Sequence, residues 1–387
     1  MTQLTAILVP SDDDLVARLR LIRSRRVGAV TYHRLIAEHG SAEAALDALP
    51  GIASAAGIDR YEICPIGVVM AELAKGRAAR ATVIAHGDPR YPTLLAHLPD
   101  APPILWVQGD VSLLARPMVA VVGSRNASSL GLRMAKRLAE GLGMAGQVVA
   151  SGLARGIDAE AHRAAIATGT VAVQAGGVDV IYPPENAVLA AEIVAKGCRI
   201  SEQPMGAEPQ ARHFPLRNNI IAGLSRAVVV VEAAARSGSL LTARAALDLG
   251  REVLAVPGHP FDARAAGSNM LIRDGATLVR GTSDVLEAIG ATPEGAPHPA
   301  SPGPASFADK AAPHAPLPGP VPAAMPLATA SALHAQILAR LGPSPLAEDQ
   351  LIRDLAMPPG HITPALLTLE LEGRIERQHG GLLSRIS

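Results

Sequence analysis

The residues best suited to chemistry sit in short glycine-bearing loops, each following an apolar run and leading into a helix-like stretch. The first is Gly123-Ser124-Arg125-Asn126-Ala127-Ser128-Ser129-Leu130-Gly131, directly after the run Val119 to Val122. Gly, Ser and Asn let the backbone turn tightly and aim N–H groups at an anion, and the positive end of the following helix adds to them. Arg125 brings a fixed, forked donor. The second glycine of a GxGxxG fingerprint is missing, so a dinucleotide is not expected, and no Walker Gly-Lys-Ser/Thr follows. Taken alone, the loop is a phosphate cradle or a plain strand-to-helix turn with equal justice.

The next apolar run ends in Ser151-Gly152-Leu153-Ala154-Arg155-Gly156-Ile157-Asp158, again one arginine among small residues. Asp158 reads as a helix N-cap. His162, one turn later, reads as a hydrogen-bonded structural histidine rather than a catalytic one. A third run ends in Ala175-Gly176-Gly177-Val178-Asp179. Three successive ends that present glycine favour one shared crevice.

The most telling segment is His213-Phe214-Pro215-Leu216-Arg217-Asn218-Asn219-Ile220-Ile221-Ala222-Gly223. Phe214 is one of only 3 phenylalanines and stands in a polar loop before a helix. A ring face for a base and an arginine for the backbone, within one turn, suit single-stranded nucleic acid. A hydrophobic staple at the helix start is the competing reading and carries equal weight at this level. Glu232 closes a fourth run, and Arg236-Ser237-Gly238-Ser239-Leu240-Leu241-Thr242 makes a further anion-friendly turn. Pro257-Gly258-His259 and Gly267 to Ala276 read as a loop and a closing helix. The sequence contains no metal-spaced His/Cys cluster and no GxSxG elbow. The expectation is therefore a binding protein, not an enzyme, with no cofactor and no metal.

The elements that must position these loops follow from periodicity. The apolar runs Val119 to Val122, Val148 to Ala150, Val171 to Gln174, Ala227 to Glu232 and Val253 to Val256 alternate with helical stretches, which predicts a parallel sheet covered on both faces. Such a doubly wound sheet binds ligands at the carboxyl ends of its strands. Ahead of it, residues 12–80 read as helical, with a break at Val27-Gly28 and a stop and fresh N-cap at Gly40-Ser41. Arg23, Arg25 and Arg26 read as a solvated helix face, with a phosphate contact as the alternative. Residues 81–117 are an extended connector ending in the strand Ile104 to Val107, where Trp106 is expected to pack.

Residues 291–328 hold about a third of the 32 prolines with few large apolar residues, the composition of an extended, disordered linker. Beyond it, helices over Ala332 to Leu341, Leu346 to Leu355 and Thr363 to Glu372 precede two short runs flanking Gly380-Gly381, a hairpin turn signal. Three helices and a hairpin make a winged helix. Its third helix has no Lys or Arg and ends in Glu370 and Glu372, unlike a major-groove reader. Protein contact, or weak DNA contact through Arg374 and Arg377, is expected of it.

The bulk numbers set limits. The 387 residues exceed one ordinary core, and with 49% apolar but only 2% aromatic residues the core must be aliphatic, so each aromatic outside a regular element is informative. A net charge of zero means that any anion site is local. The 2 cysteines, Cys64 and Cys198, form no framework, which points to a reducing, cytoplasmic setting. No run reaches membrane-span length, and the N-terminus lacks a signal-peptide layout.

In their order along the chain, Gly123-Ser124-Arg125, Ser151 to Asp158, Phe214 to Asn218, Ile220 to Ser225, Arg236-Ser237-Gly238-Ser239 with Thr242-Ala243, and Asn269 to Ala276 resemble the DprA/Smf family. The resemblance implies an extended Rossmann-like, doubly wound α/β domain at 81–290 that includes an N-terminal extension. It also implies a helical SAM-like domain at 1–80, the linker at 291–328 and a winged helix at 329–387. It further implies single-stranded DNA as ligand, the RecA recombinase as partner, a homodimer through the Rossmann-like domain, and a role in natural transformation. Carried over by motif, Arg125, Phe214, Arg217 and Asn218 are the DNA contacts, with Gly123, Ser124 and Arg155 lining the same pocket. The family usually has a second basic residue where Asn219 stands here, and Arg212 is the candidate replacement. Two other readings are open: a nucleotide hydrolase of the lysine-decarboxylase-like group, whose Pro-Gly-Gly-x-Gly-Thr loop and following glutamate this chain lacks, and a ligand-sensing transcription factor, disfavoured by the acidic third helix.

Overall fold

Met118–Val122 is five consecutive buried residues, and only a strand with helices on both faces tolerates that. The computed structural model, which describes residues 12–58, 60–291, 327–342, 345–378 and 382–386, puts this strand in the interior of a nine-stranded sheet. The sheet strands are β1 (Thr82–Ala85), β2 (Ile104–Gly109), β3 (Met118–Val122), β4 (Val148–Ser151), β5 (Thr170–Val173), β6 (Cys198–Ser201), β7 (Ala227–Val230), β8 (Glu252–Ala255) and β9 (Thr277–Leu278). Their order is β1-β2-β6-β5-β4-β3-β7-β8-β9. Every neighbouring pair from β6 to β9 is parallel, while β1 and β2 pair antiparallel with each other and β2 antiparallel with β6. The five runs picked out by hydrophobicity are all strands. β6 was not anticipated, because Arg199 interrupts its apolar pattern.

Helices α1 (Asp12–Arg23), α2 (Ala29–His39), α3 (Ala42–Ala55) and α4 (Ile66–Ala78) form the N-terminal module, and the one-turn α5 (Thr93–Ala96) lies in the connector. The crossover helices are α6 (Ser129–Met144), α7 (Ile157–Ala165), α8 (Ala187–Lys196), α9 (His213–Leu224), α10 (Ser239–Asp248) and α11 (Ala266–Arg273), and α12 (Thr282–Ala288) follows the last strand. From β3 the chain moves through α6 to β4 and outward to β6. It then returns along α9 to β7, on the other side of β3, and moves outward again. The loops after β3 and β7 therefore diverge, which is the switch point where a doubly wound sheet opens a crevice.

The N-terminal module has its own apolar centre around Leu21, Tyr32, Leu35 and Leu46. Gly40, at φ 80°, stops α2, and Ser41 caps α3 by accepting from the Ala44 N–H. Arg23 is neither a solvated helix face nor a phosphate contact. Its Nε and Nη2 donate to Glu72 at 3.1 and 2.9 Å, and Glu72 also accepts from the Trp106 indole at 2.8 Å. A shared carboxylate thus fastens α1 and α4 to strand β2. Both cysteines are buried and free. No described helix is long and apolar enough to cross a membrane.

The chain forms two units, Met1–Val285 and Leu286–Ser387. Nearly all of the Pro-rich stretch, at 292–326, lies outside the described residues, as does the Gly380-Gly381 turn. In the second unit, α13 (Leu327–Arg340), β10 (Leu346–Ala347), α14 (Glu348–Leu355) and α15 (Pro359–Leu371) precede β11 (Ile375–Gln378) and β12 (Leu382–Arg385). Strands β11 and β12 pair antiparallel, and β10 joins β12, around a core that includes Ile337, Leu351, Leu366 and Leu383. The wing arginines are already engaged: Arg377 pairs with Glu348 and, at 3.4 Å, with Glu370, and Arg374 with Glu372 at 3.6 Å.

Candidate functional site

Helix α9 sorts its residues by face. Phe214, Arg217, Asn218 and Ile221 recur at helical spacing, and all four line one cleft. Leu216, Asn219 and Ile220 line a different groove, with Val30 and Pro102. The ring of Phe214 is half-buried. The Arg125 Cζ lies 5.7 Å from its centroid and the Arg217 Cζ 5.8 Å, both within reach of the negative ring face. Phe214 is the second residue of α9 and not part of a loop ahead of its cap, Arg212, so it is not a hydrophobic staple. Tyr182 meets the ring edge-on, at 6.0 Å and 64°.

Arg217 is held in an unusual way. It is 7% exposed, its Nη1 is 3.9 Å from Asp158 Oδ2, and its Nε has no hydrogen-bond partner. Burial pushes the guanidinium below its ordinary value against the pull of Asp158, and the like charge of Arg125 adds to the downward push. Burial likewise pushes the Asp158 carboxyl up, opposed by Arg217. An arginine stays charged even so, which makes this cation under-compensated and open to an outside anion. Gly152 makes the arrangement possible, because a Cβ there would lie 1.1 Å from Arg217 Nη1.

Asp158 is not the N-cap that its position suggested. Gly156, at φ 76°, takes that place, and Asp158 accepts the Gly152 N–H at 3.1 Å from inside the first turn. A Cβ on Gly156 would lie 2.2 Å from the Ser124 carbonyl oxygen, and the Ile157 N–H donates to that same oxygen at 3.2 Å. The loops after β3 and β4 are thereby joined into one wall. His162 is structural. Its Nε2 accepts the Leu153 N–H at 3.3 Å, which leaves Nδ1 to donate to Thr170 Oγ1 at 2.7 Å. Burial drives its pKa down to about 3, so the ring is neutral.

The positive end of α6 is not available to a phosphate. Ser128 caps the helix by accepting the Gly131 N–H at 3.0 Å. The Ser128 N–H and hydroxyl then donate to Glu232 at 2.8 and 2.6 Å. The chain's own carboxylate occupies the place where the loop pattern put a ligand, because β7 ends beside β3 and aims Glu232 there. The positive field of the site comes from arginines instead.

The described residues form two clefts that share a ridge. The larger, about 490 Å³, includes Gly123, Ser124, Arg125, Phe214, Arg217 and Asn218 in its lining. The smaller, about 210 Å³, includes Arg125, Arg155, Phe214 and Arg217. Arg125, Phe214 and Arg217 belong to both. Arg155 is largely exposed and pairs with Glu185 at 3.8 Å. Arg212 lines neither cleft. It precedes the helix, outside the face that carries Phe214, and its Nε lies 3.4 Å from His213 Nε2. Asn219 lines the neighbouring groove and neither of these clefts.

Sequence reasoning missed Gln174 and Tyr182 in the small cleft, while the anion-friendly turn at Arg236 does line the large one. Tyr182 was findable. Aromatics are so scarce here that one in Tyr182-Pro183-Pro184, outside any regular element, was a signal.

Three family descriptions match along the chain: a DprA-like N-terminal HHH domain over 12–74, the DNA recombination-mediator protein A over 82–290, and a DprA winged helix domain over 321–381. A Synechocystis relative named protein Smf is 35% identical over 307 residues, 76% of this chain and 77% of its own. DNA processing protein DprA of Bacillus subtilis is 41% identical over 220 residues, 56% of this chain and 74% of its own. The solved structure of the Streptococcus pneumoniae protein superimposes with a TM-score of 0.53 at 34% identity, covering 68% of this chain and 98% of that one. That of Helicobacter pylori, described for a unique single-stranded DNA binding mode, gives 0.50 at 27% identity over 54% and 94%. With its three domains matched in order, the chain belongs to the DprA/Smf family.

Proposed function

We propose that this protein binds single-stranded DNA without sequence preference on the Arg125–Phe214–Arg217 ridge, without catalysis, and that it helps load the RecA recombinase in natural transformation and DNA recombination. The single observation that carries the reading is the half-buried Phe214 ring with two guanidinium groups close to it, at 5.7 and 5.8 Å. Cations track a phosphate backbone and a ring face takes any base, so the combination is tolerant of sequence. The Helicobacter pylori relative, whose single-strand binding mode has been described, supports the ligand. The family description as a recombination mediator supports the RecA partner. The homodimer through the Rossmann-like domain is part of the same proposal.

The carboxylates at the clefts favour a binder over a nucleotide hydrolase. Asp158 is spent on Arg217 and the Gly152 N–H, Glu232 on Ser128, and Glu185 faces Arg155. The test is a gel shift with single- and double-stranded oligonucleotides, repeated with RecA. Tighter single-strand binding and a supershifted ternary complex are expected. Equal affinity for duplex would refute the ligand, and absence of the ternary complex would refute the partner.

A further inference from the structure

Helix α9 has a second face that the DNA clefts leave unused. Leu216, Asn219 and Ile220 stand on the other side of the helix from Phe214 and Arg217, and they line a groove of about 390 Å³. Helix α2, the connector and the loop after β6 supply most of the remaining lining. Its buried residues Leu95, Ile104 and Ile220 are aliphatic. Val30 and Leu216 line it too, yet are 63% and 46% exposed. Large apolar side chains left in water around one concavity, rather than scattered singly, mark a place that another surface covers.

The charge of the groove is one-sided. Asp100 and Glu202 line it. Arg23, the only cation among its described lining residues, is already committed: Nε and Nη2 to the Glu72 carboxylate, and Nη2 also to the Glu202 carbonyl oxygen at 3.4 Å. The Glu202 carboxylate accepts from the uncharged Gln203 amide at 3.3 Å. Burial pushes that carboxyl up, opposed by Arg23 and the Gln203 amide, while the like charge of Asp100 adds to the push. A carboxylate so placed gains from a cation brought by a partner. The same two charges repel phosphates, and the described lining offers no ring to a base, so the groove is not built for nucleic acid.

We propose that this groove docks a segment of a partner protein in which one lysine or arginine, paired with Glu202 and Asp100, is flanked by aliphatic side chains that cover Val30 and Leu216. The aliphatic neighbours supply the burial, and the cation fixes the register. Docking here asks nothing of the DNA clefts, because the residues involved lie on the opposite face of α9. One molecule can therefore hold a strand and a partner together.

The probe is a random dodecapeptide library displayed on phage and selected on the immobilised full chain. The expected consensus is one Lys or Arg with aliphatic residues on either side. A selected peptide, synthesised with a fluorophore, should bind about tenfold more weakly when its basic residue is replaced by glutamine, and about tenfold more weakly to Glu202→Gln. Once either charge is gone, removing the other should cost little more. The double variant Val30→Ser with Leu216→Ser should also lose about tenfold, through the aliphatic contacts. The substitution in the peptide needs no protein variant, so a variant that melts early leaves the test intact. A selection without a consensus, a consensus without a basic residue, or a peptide indifferent to the loss of its basic residue would overturn the docking site. A change of oligomeric state in the Val30→Ser and Leu216→Ser protein, read by sedimentation, would give the groove to a second copy of the chain and overturn it as well.

Discussion

Replacing Gly152 by Ala adds one methyl group that touches no ligand, yet it should disable the site. The new Cβ would lie 1.1 Å from Arg217 Nη1, and ordinary contact begins at 3.4 Å, so the guanidinium must retreat by about 2 Å. Gly152 does not adopt a left-handed conformation, so Ala meets no backbone penalty there. At an effective dielectric of about 20, widening the 3.9 Å separation from Asp158 by that amount removes about 1.5 kcal/mol of attraction. A modest loss of stability follows. The larger loss is in binding: a displaced guanidinium forfeits a charge-assisted contact, worth about 10- to 100-fold in affinity. Fluorescence anisotropy of a labelled single strand, across a salt series, measures both the affinity and its slope. The slope should flatten by about 0.7 for one lost phosphate contact. The cycle with Arg217→Ala is the sharpest control. Once the arginine is gone the methyl group has nothing to strike, so the double variant should bind no worse than Arg217→Ala alone. Additive losses, or a Gly152→Ala protein with wild-type affinity and slope, would refute the steric account.

Three other outcomes are expected. Phe214→Ala should lose about 1–3 kcal/mol of binding, with Phe214→Trp restoring it, since stacking needs a ring and no particular base; equal affinities in the same anisotropy assay would deny the ring its role. His162 has a folded pKa of about 3 against an ordinary 6.5, so between those values the unfolded chain binds more protons. Stability should fall as pH drops from 6.5 toward 3, by up to about 1.4 kcal/mol per unit, and His162→Asn should flatten the melting temperature against pH; an unchanged slope would place the acid sensitivity elsewhere. Glu232→Ala should cost about 1–3 kcal/mol of stability and so lower the melting temperature, through loss of the two hydrogen bonds donated by Ser128, while leaving single-strand affinity near wild type; a large affinity loss with unchanged melting would mean that Glu232 belongs to the binding surface.

The central sheet was legible because strands buried on both faces must be continuously apolar, and Val119 to Val122 or Ala227 to Val230 admit no other reading. The same logic hid β6, whose Arg199 is 6% exposed and bonded to Gln108 on β2. A charged residue inside a strand is visible as such only once its cross-strand partner is known. The site was legible in its parts and not in their wiring. Arg125, Phe214 and Arg217 stood out by residue type and loop position, and they do converge. Nothing in the spacing told that Glu232, more than a hundred residues after Ser128, would take the end of α6, or that Asp158 would turn from cap to counter-ion. Both follow from β7 returning beside β3, a topological fact. Arg212 failed for a simpler reason: closeness in sequence to Phe214 does not put a residue on the same helical face.

Photocrosslinking tests the location of the strand most directly. A single-stranded oligonucleotide carrying 5-iododeoxyuridine, irradiated with the full-length protein and followed by peptide mass spectrometry, reports which side chains touch a base. The ridge predicts adducts at Phe214 and Tyr182, suppressed by unlabelled single strand and not by duplex. Adducts confined to the winged helix, with none on those two rings, would contradict it.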